Sequence, residues 1–175
     1  GAHPHGCLTC RGAVLSLRGT RVKVEEWEIA AIYSGSQKCL AGTPGLSPVS
    51  FNGRALEKVR NRKSKVQSWF LDLNLVMCYW GEGAKRAYHH TAPINALYSL
   101  HEALLILREE GLDRAWDRHY KNHLALRAGL EAMGLLFVVN KVDRLPQLNA
   151  VTIPEGVDDA KVRSRLLKEY NLEIG

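Results

Sequence analysis

The chain has 175 residues, 46% of them hydrophobic and 24% charged, and a formal net charge of +6. This is the composition of a globular protein, long enough for one domain and part of another. No apolar run approaches the ~18 residues of a membrane span, and Gly1 to Gly6 lacks the basic-then-apolar order of a secretory signal. The basic residues are scattered except between Arg54 and Lys65. A basic mouth for phosphate and carboxylate ligands is therefore expected rather than a nucleic-acid face. Cys7, Cys10, Cys39 and Cys78 show no disulfide framework, and Cys39 and Cys78 sit in apolar surroundings that suit buried thiols. A reducing compartment is expected: cytoplasmic, or a peroxisomal or mitochondrial matrix in a eukaryote. The opening on Gly1 rather than methionine suggests a fragment or a processed chain.

In chain order, His3, His5, Cys7 and Cys10 come first and could supply four zinc ligands. All four fall within one short stretch, whereas structural sites usually separate their ligand pairs by a folded module. A frayed terminus without metal is expected. Glu25, Glu26 and Glu28 read as a solvated turn. Ile29 to Tyr33 is apolar and long enough for one buried strand. Ser34-Gly35-Ser36-Gln37-Lys38 follows, then a loop of small residues to Gly45 and a second strand-like run, Leu46 to Phe51. A lysine at a strand's end among small residues can be held partly desolvated and made nucleophilic. The adjoining N–H groups, the hydroxyls and Gln37 could cradle a phosphate. An amine beside a phosphate cradle is what pyridoxal phosphate (PLP) needs. A strand end followed by a solvated lysine is the other reading of the same five residues.

Asn52 is placed to N-cap a basic helix, Arg54 to Arg62. Ser68 to Leu73 is extended or loosely helical, and the apolar run Leu73 to Trp80 leads into a turn at Gly81-Glu82-Gly83. In Tyr88-His89-His90-Thr91, two hydroxyls at a helix entrance can both donate to one phosphate, with N–H groups of the helix N-terminus beside them. The alternative is that Thr91 is an N-cap and Tyr88 packs in the core. His89 and His90 point to opposite sides if the backbone is extended, so they should not share a metal. From Ile94 the apolar residues step by three and four through Leu97, Leu100, Leu104 and Leu107, a helix ending near Gly111. Asp113 should cap a second helix carrying Trp116, His119, His123, Leu126, Leu130 and Met133, stopped by Gly134. His119 and His123 lack a third metal ligand. Leu135 to Val139 and Gln147 to Ile153 read as strands, Val157 to Tyr170 as a helix with Asp158 or Asp159 near its start, and Leu172 to Ile174 as the beginning of a last strand.

Tyr33-Ser34-Gly35-Ser36-Gln37-Lys38, Pro44-Gly45, Tyr79-Trp80-Gly81, Tyr88-His89-His90-Thr91 and Arg144-Leu145-Pro146 occur in this order. Together they resemble the alanine/serine–glyoxylate aminotransferases, class V of the fold-type-I PLP enzymes. The resemblance runs from about Val14 to the last residue and covers only part of such an enzyme. It implies an α/β fold, with residues 1–110 as the second half of the large PLP-binding domain and 111–175 as an incomplete C-terminal small domain. It implies that Lys38 holds PLP as a Schiff base and serves as general base and acid while an amino group passes from alanine or serine to glyoxylate. Cofactor contacts are implied for Lys38, Gln37, Val14, Tyr88 and Thr91. The last two are implied to reach the cofactor phosphate of the other subunit of a homodimer.

One segment departs from the family. Val14, Ser16, Leu17 and Gly19 fall on a pattern Asp-x-Val-x-Ser-Leu-Gly-Gly, whose Asp pairs with the cofactor's pyridine nitrogen. Gly12 stands in its place, Arg18 replaces a turn glycine, and a further turn position is Arg21. A carboxylate there keeps the ring protonated as an electron sink, which Gly12 cannot do. The competing expectation is a truncated or inactive homologue that serves only as a folded or pairing module. A basic binding module is a further alternative.

Overall fold

In the computed structural model, residues 5–79 and 87–175 are described. The chain divides into two compact units, Gly1–Trp116 and Asp117–Gly175. The sequence alone places a boundary near Gly111, just before the helix in which this division falls.

The first unit is built on a small mixed sheet. Strands β1 (Cys10–Gly12), β2 (Ala31–Tyr33) and β3 (Val49–Phe51) lie in the order β1-β2-β3. β1 and β2 are parallel, with Gly12 opposite Tyr33, and β2 and β3 are antiparallel, with Tyr33 opposite Val49. β2 is central because its run is the apolar one, with Ile29 and Ala30 buried at its start. The run Leu46 to Phe51 does follow β2, since Ser34 and Ser36 donate their N–H groups to the carbonyls of Pro48 and Leu46 at 2.9 and 3.1 Å. The regular ladder nevertheless begins only at Val49, because Pro48 has no N–H to return. Cys10 opens β1, so the terminus is not frayed at that point.

Helix α1 (Gly53–Arg60) starts as expected: the Asn52 side chain accepts the Ala55 N–H at 3.0 Å. It ends before Arg62, which turns instead to Asp72, its Nη2 lying 3.2 Å from both carboxylate oxygens. Asp72 in turn N-caps the short α2 (Leu73–Val76), which runs into a 3-10 turn at Met77–Tyr79. Trp80 and the expected turn at Gly81-Glu82-Gly83 lie outside the described residues. The amphipathic helix appears as α3 (Ile94–Glu110), closed by Gly111 at φ 81° with its N–H on the Leu107 carbonyl. The positive φ is why glycine ends the helix. α4 (Leu112–Ala132) begins at once. Asp113 lies in its first turn instead of capping it, because Gly111 already supplies the carbonyl that takes the Ala115 N–H.

Among the described residues, the buried apolar ones of this unit are mostly small: Ala13, Ile29, Ala30, Leu40, Ala55, Ala103 and Ala115. In α3 only Ala103 is buried, while Ile94, Leu97, Leu104 and Ile106 stand at the surface. Small residues line close contacts between elements, and the large side chains that would fill a core are left facing outward.

The second unit holds the rest of α4 and helix α5 (Asp159–Tyr170), N-capped by the Asp158 side chain on the Lys161 N–H at 3.1 Å. The two strands expected between them shrink to a single antiparallel bridge, Phe137 with Val151, flanked by hydrogen bonds from Val138 to Ala150 and from Thr152 to Leu136. A turn closed by Asn140 and Asp143, and Pro146 with no N–H to donate, leave too few paired residues for a ladder. Leu172 to Ile174 forms no strand. Burial separates the two histidines of α4, His123 being buried with its Nδ1 2.6 Å from Asn149 Oδ1.

Candidate active site

β1 and β2 run parallel and end together, at Gly12 and Tyr33. The carboxyl edge of parallel strands is where α/β sheets carry their ligands, and the turn bearing Lys38 starts from it. Its frame is rigid. Ser34, Gly35 and Ser36 are buried, Ser36 completely. Ser34 Oγ donates to the Ala13 carbonyl at 3.1 Å and Ser36 Oγ to the Thr43 carbonyl at 2.5 Å. The Ser36 carbonyl accepts the Gly42 N–H and the Lys38 carbonyl the Ala41 N–H, both at 2.8 Å. Ser99 of α3 accepts the Thr43 N–H at 2.9 Å and ties the loop to the helix.

Gln37 and Lys38 project from this frame and are exposed. Lys38 is thus not desolvated, and among the described residues its amine has no ion-pair partner. The serines do not form the phosphate cradle expected of them, because their hydroxyls and N–H groups are all committed to the protein's own carbonyls. Gln37 folds back over Gly35, where any Cβ would lie 2.8 Å from Oε1. A side chain at that point would have to displace the Gln37 amide. Val14 is half-buried in the turn after β1.

At the strand edge, Gly12 is exposed, with the ring of its cross-strand neighbour Tyr33 beside it. A Cβ on Gly12 would lie 2.8 Å from Tyr33 Oη and 3.0 Å from Cζ. The phenol therefore occupies the space a side chain at position 12 would need.

Arg18 was legible in sequence only as a lost turn glycine, and the structure gives it a definite place. Its φ of 71° is the left-handed conformation glycine favours, at a cost of ~1–2 kcal/mol for a residue with a Cβ. Its side chain is only 8% exposed. Nη1 donates to the Cys39 carbonyl at 2.8 Å, and Nη2 pairs with Glu110 Oε2 at 3.2 Å. The neighbouring Cys39 thiol is pushed up from its ordinary pKa by burial and drawn partway back by the Arg18 guanidinium. It stays a neutral S–H donor to the Leu15 carbonyl, at 3.4 Å. Arg21 lies at the surface, paired with Asp113 at 3.2 Å.

Tyr88 and Thr91 come together, their hydroxyl oxygens 2.6 Å apart, and both are exposed. Neither plays the alternative part: the N-cap of α3 is Pro93, without a side-chain cap, and Tyr88 is 77% exposed. Two hydroxyls beside an uncapped helix N-terminus form a group suited to an anion. Between them, His89 and His90 do not diverge. Tyr79 Oη accepts the N–H groups of both, at 2.7 and 2.9 Å, and donates to the His90 carbonyl at 2.9 Å. That clamp bends the backbone and brings the two Nδ1 atoms within 2.8 Å. His89 Nε2 faces the Trp69 carbonyl at 3.0 Å and must donate to it, so His89 Nδ1 accepts and His90 Nδ1 donates in the neutral pair. Among the described residues no three His, Cys, Asp or Glu side chains are grouped to hold a metal. Of the four residues that could have supplied zinc ligands, His5, Cys7 and Cys10 are exposed and His3 lies outside the described residues.

The donor chemistry fits PLP in kind: a free primary amine at the strand edge, and a hydroxyl pair with open N–H groups for a phosphate. Comparison with known proteins points the same way. The family model for aminotransferase class-V matches residues 1–175. An alanine–glyoxylate aminotransferase of Drosophila melanogaster is 40% identical over 97% of this chain and 44% of its own length. The (S)-ureidoglycine–glyoxylate transaminase of Bacillus subtilis is 34% identical over 93% of this chain and 43% of its own length. The crystal structure of an alanine–glyoxylate aminotransferase from Nostoc sp. superposes with a TM-score of 0.94 at 45% identity, over 99% of this chain and 46% of that one. The chain thus spans less than half the length of these relatives.

Proposed function

We propose that this chain, which belongs to the class-V aminotransferase family, is part of a PLP-dependent aminotransferase that moves an amino group from alanine or serine to glyoxylate. The observation that carries this reading is Lys38: an exposed amine, without an ion-pair partner among the described residues, on a turn fixed by two buried serines at the carboxyl edge of β1 and β2. When bound, PLP supplies an electron-withdrawing ring that stabilises negative charge on the carbon bearing the amino group. This chain's residues do the rest. Lys38 Nζ would hold the cofactor, and its amine would take and return the proton at that carbon. Tyr88 and Thr91 offer their hydroxyls to a phosphate, and the apolar residues exposed on α3 and at Trp69 to Leu71 are available to exclude water once covered.

Reduction with borohydride in the presence of PLP tests the assignment. In the intact protein the cofactor should become fixed to the peptide that carries Lys38. Recovery of the adduct on another lysine, or on none, would sink it. A homodimer belongs to the same reading, with Tyr88 and Thr91 serving the partner subunit's cofactor. Light scattering of the intact, PLP-saturated protein should give twice the chain mass, and a stable saturated monomer would rule the arrangement out.

One observation favours a second reading. Tyr33 lies in the space beside Gly12 where the resemblance calls for a carboxylate, as expected of a truncated or inactive homologue that serves only as a folded or pairing module.

A further inference from the structure

We propose that Arg18 is a positioning residue for Lys38: its guanidinium ties the Cys39 carbonyl to the C-terminal end of α3 and so fixes the turn from which Lys38 projects. The role of Lys38 rests on the function proposed above, whereas the tie itself does not.

The geometry is specific. Cys39 is the residue after Lys38, so a hydrogen bond to its carbonyl fixes the Cys39–Leu40 peptide, one peptide beyond the lysine's own. The other arm of the guanidinium reaches Glu110, the last residue of α3. α3 already holds the far side of the same loop through Ser99 and Thr43. The Lys38–Thr43 loop is therefore held to one helix at two points, and of these two Arg18 is the nearer to the lysine. Position 18 keeps the left-handed backbone that suits glycine, so a glycine there would be easier on the backbone and would lose both contacts. An arginine held in that conformation, buried, with both terminal nitrogens engaged across segments 21 and 92 residues away, is doing something that a turn alone does not require. Arg18 Nε is buried without a partner, which leaves the side chain aimed at two acceptors and no third.

The test is Arg18→Gly in the intact protein, which relieves the backbone and so should fold. Amide hydrogen exchange is read at Ala41 and Gly42, whose N–H groups close the loop on Lys38 and Ser36, and at α1 as an internal reference. The expected result is exchange at least tenfold faster at Ala41 and Gly42 with α1 unchanged. Arg18→Lys, which can reach one acceptor but not both, should fall between. Glu110→Gln, which keeps the shape and removes the charge, should speed the same two amides less than Arg18→Gly does. The second readout is PLP with borohydride, scored as the ratio of label on Lys38 to label on the exposed Lys63. That ratio should fall several-fold in Arg18→Gly and recover partly in Arg18→Lys. Unchanged exchange at Ala41 and Gly42 overturns the tie. Faster exchange with an unchanged labelling ratio overturns the positioning of Lys38. If the wild-type protein labels elsewhere than Lys38, the proposed function fails, and the exchange result still decides whether the tie exists.

Discussion

Lys38→Ala should lower the single-turnover rate of amino transfer by about 10²–10⁴-fold, the usual contribution of a positioned general acid–base group. Such a loss can be assigned to chemistry with little ambiguity. Lys38 is exposed and, among the described residues, makes no ion pair, so its removal should change folding stability by no more than about 0.5 kcal/mol. Urea denaturation of the variant should therefore superpose on that of the wild type. Lys38→Arg sharpens the point. It keeps the positive charge, but a guanidinium does not lose its proton in proteins and cannot collect one from a substrate carbon. The arginine variant should be as slow as the alanine one. Added methylamine, a free primary amine, should restore part of the rate to Lys38→Ala and none to a variant that has lost its fold. The measurement is the absorbance change of bound cofactor after mixing with alanine or serine. An alanine variant within tenfold of wild type would remove Lys38 from the reaction.

Much of the frame around Lys38 is local and could be read from the chain. Asn52 and Asp158 are short side chains ahead of helices and do cap them, Gly111 ends α3 because its φ is positive, and the apolar run before Ser34 is the central strand. What could not be read depends on partners that only the folded chain brings together. The buried serine hydroxyls look free to bind a phosphate until the carbonyls of Ala13 and Thr43 are placed against them. His89 and His90 diverge on an extended chain and converge here, because a hydroxyl ten residues earlier, on Tyr79, gathers both their N–H groups. Arg18 reads as damage to a turn until Glu110 is seen beside it. Leu135 to Ile153 has the residue types of two strands, yet a turn and a proline leave one bridge.

Gly12→Asp should raise the half-reaction rate roughly tenfold or more, if it returns ~1.4 kcal/mol to the transition state. By family resemblance, position 12 faces the cofactor's ring nitrogen, and a carboxylate there would hold that nitrogen protonated. A hydrogen bond to a charged group is worth roughly 1.5–3 kcal/mol in a ground state, and more where the charge is used in the transition state. Tyr33 stands in the way of such a side chain. A Cβ on residue 12 would lie 2.8 Å from its Oη and 3.0 Å from Cζ, too close for either atom to stay. Tyr33 is 47% exposed, so its ring can swing out toward solvent at small cost. Gly12→Ala isolates that displacement, and it should move the tyrosine without raising the rate. Gly12→Asp should do both, and adding Tyr33→Ala to it should leave the gain in place. The rate is followed as single-turnover conversion of the bound cofactor by alanine or serine, and the tyrosine by the resonance of 13C-labelled ring carbons. Robust turnover with Gly12 intact and no gain from Asp would mean that another group holds the ring nitrogen. A gain in Gly12→Ala equal to that in Gly12→Asp would mean that Tyr33 obstructs the site and that the missing carboxylate is not the cause.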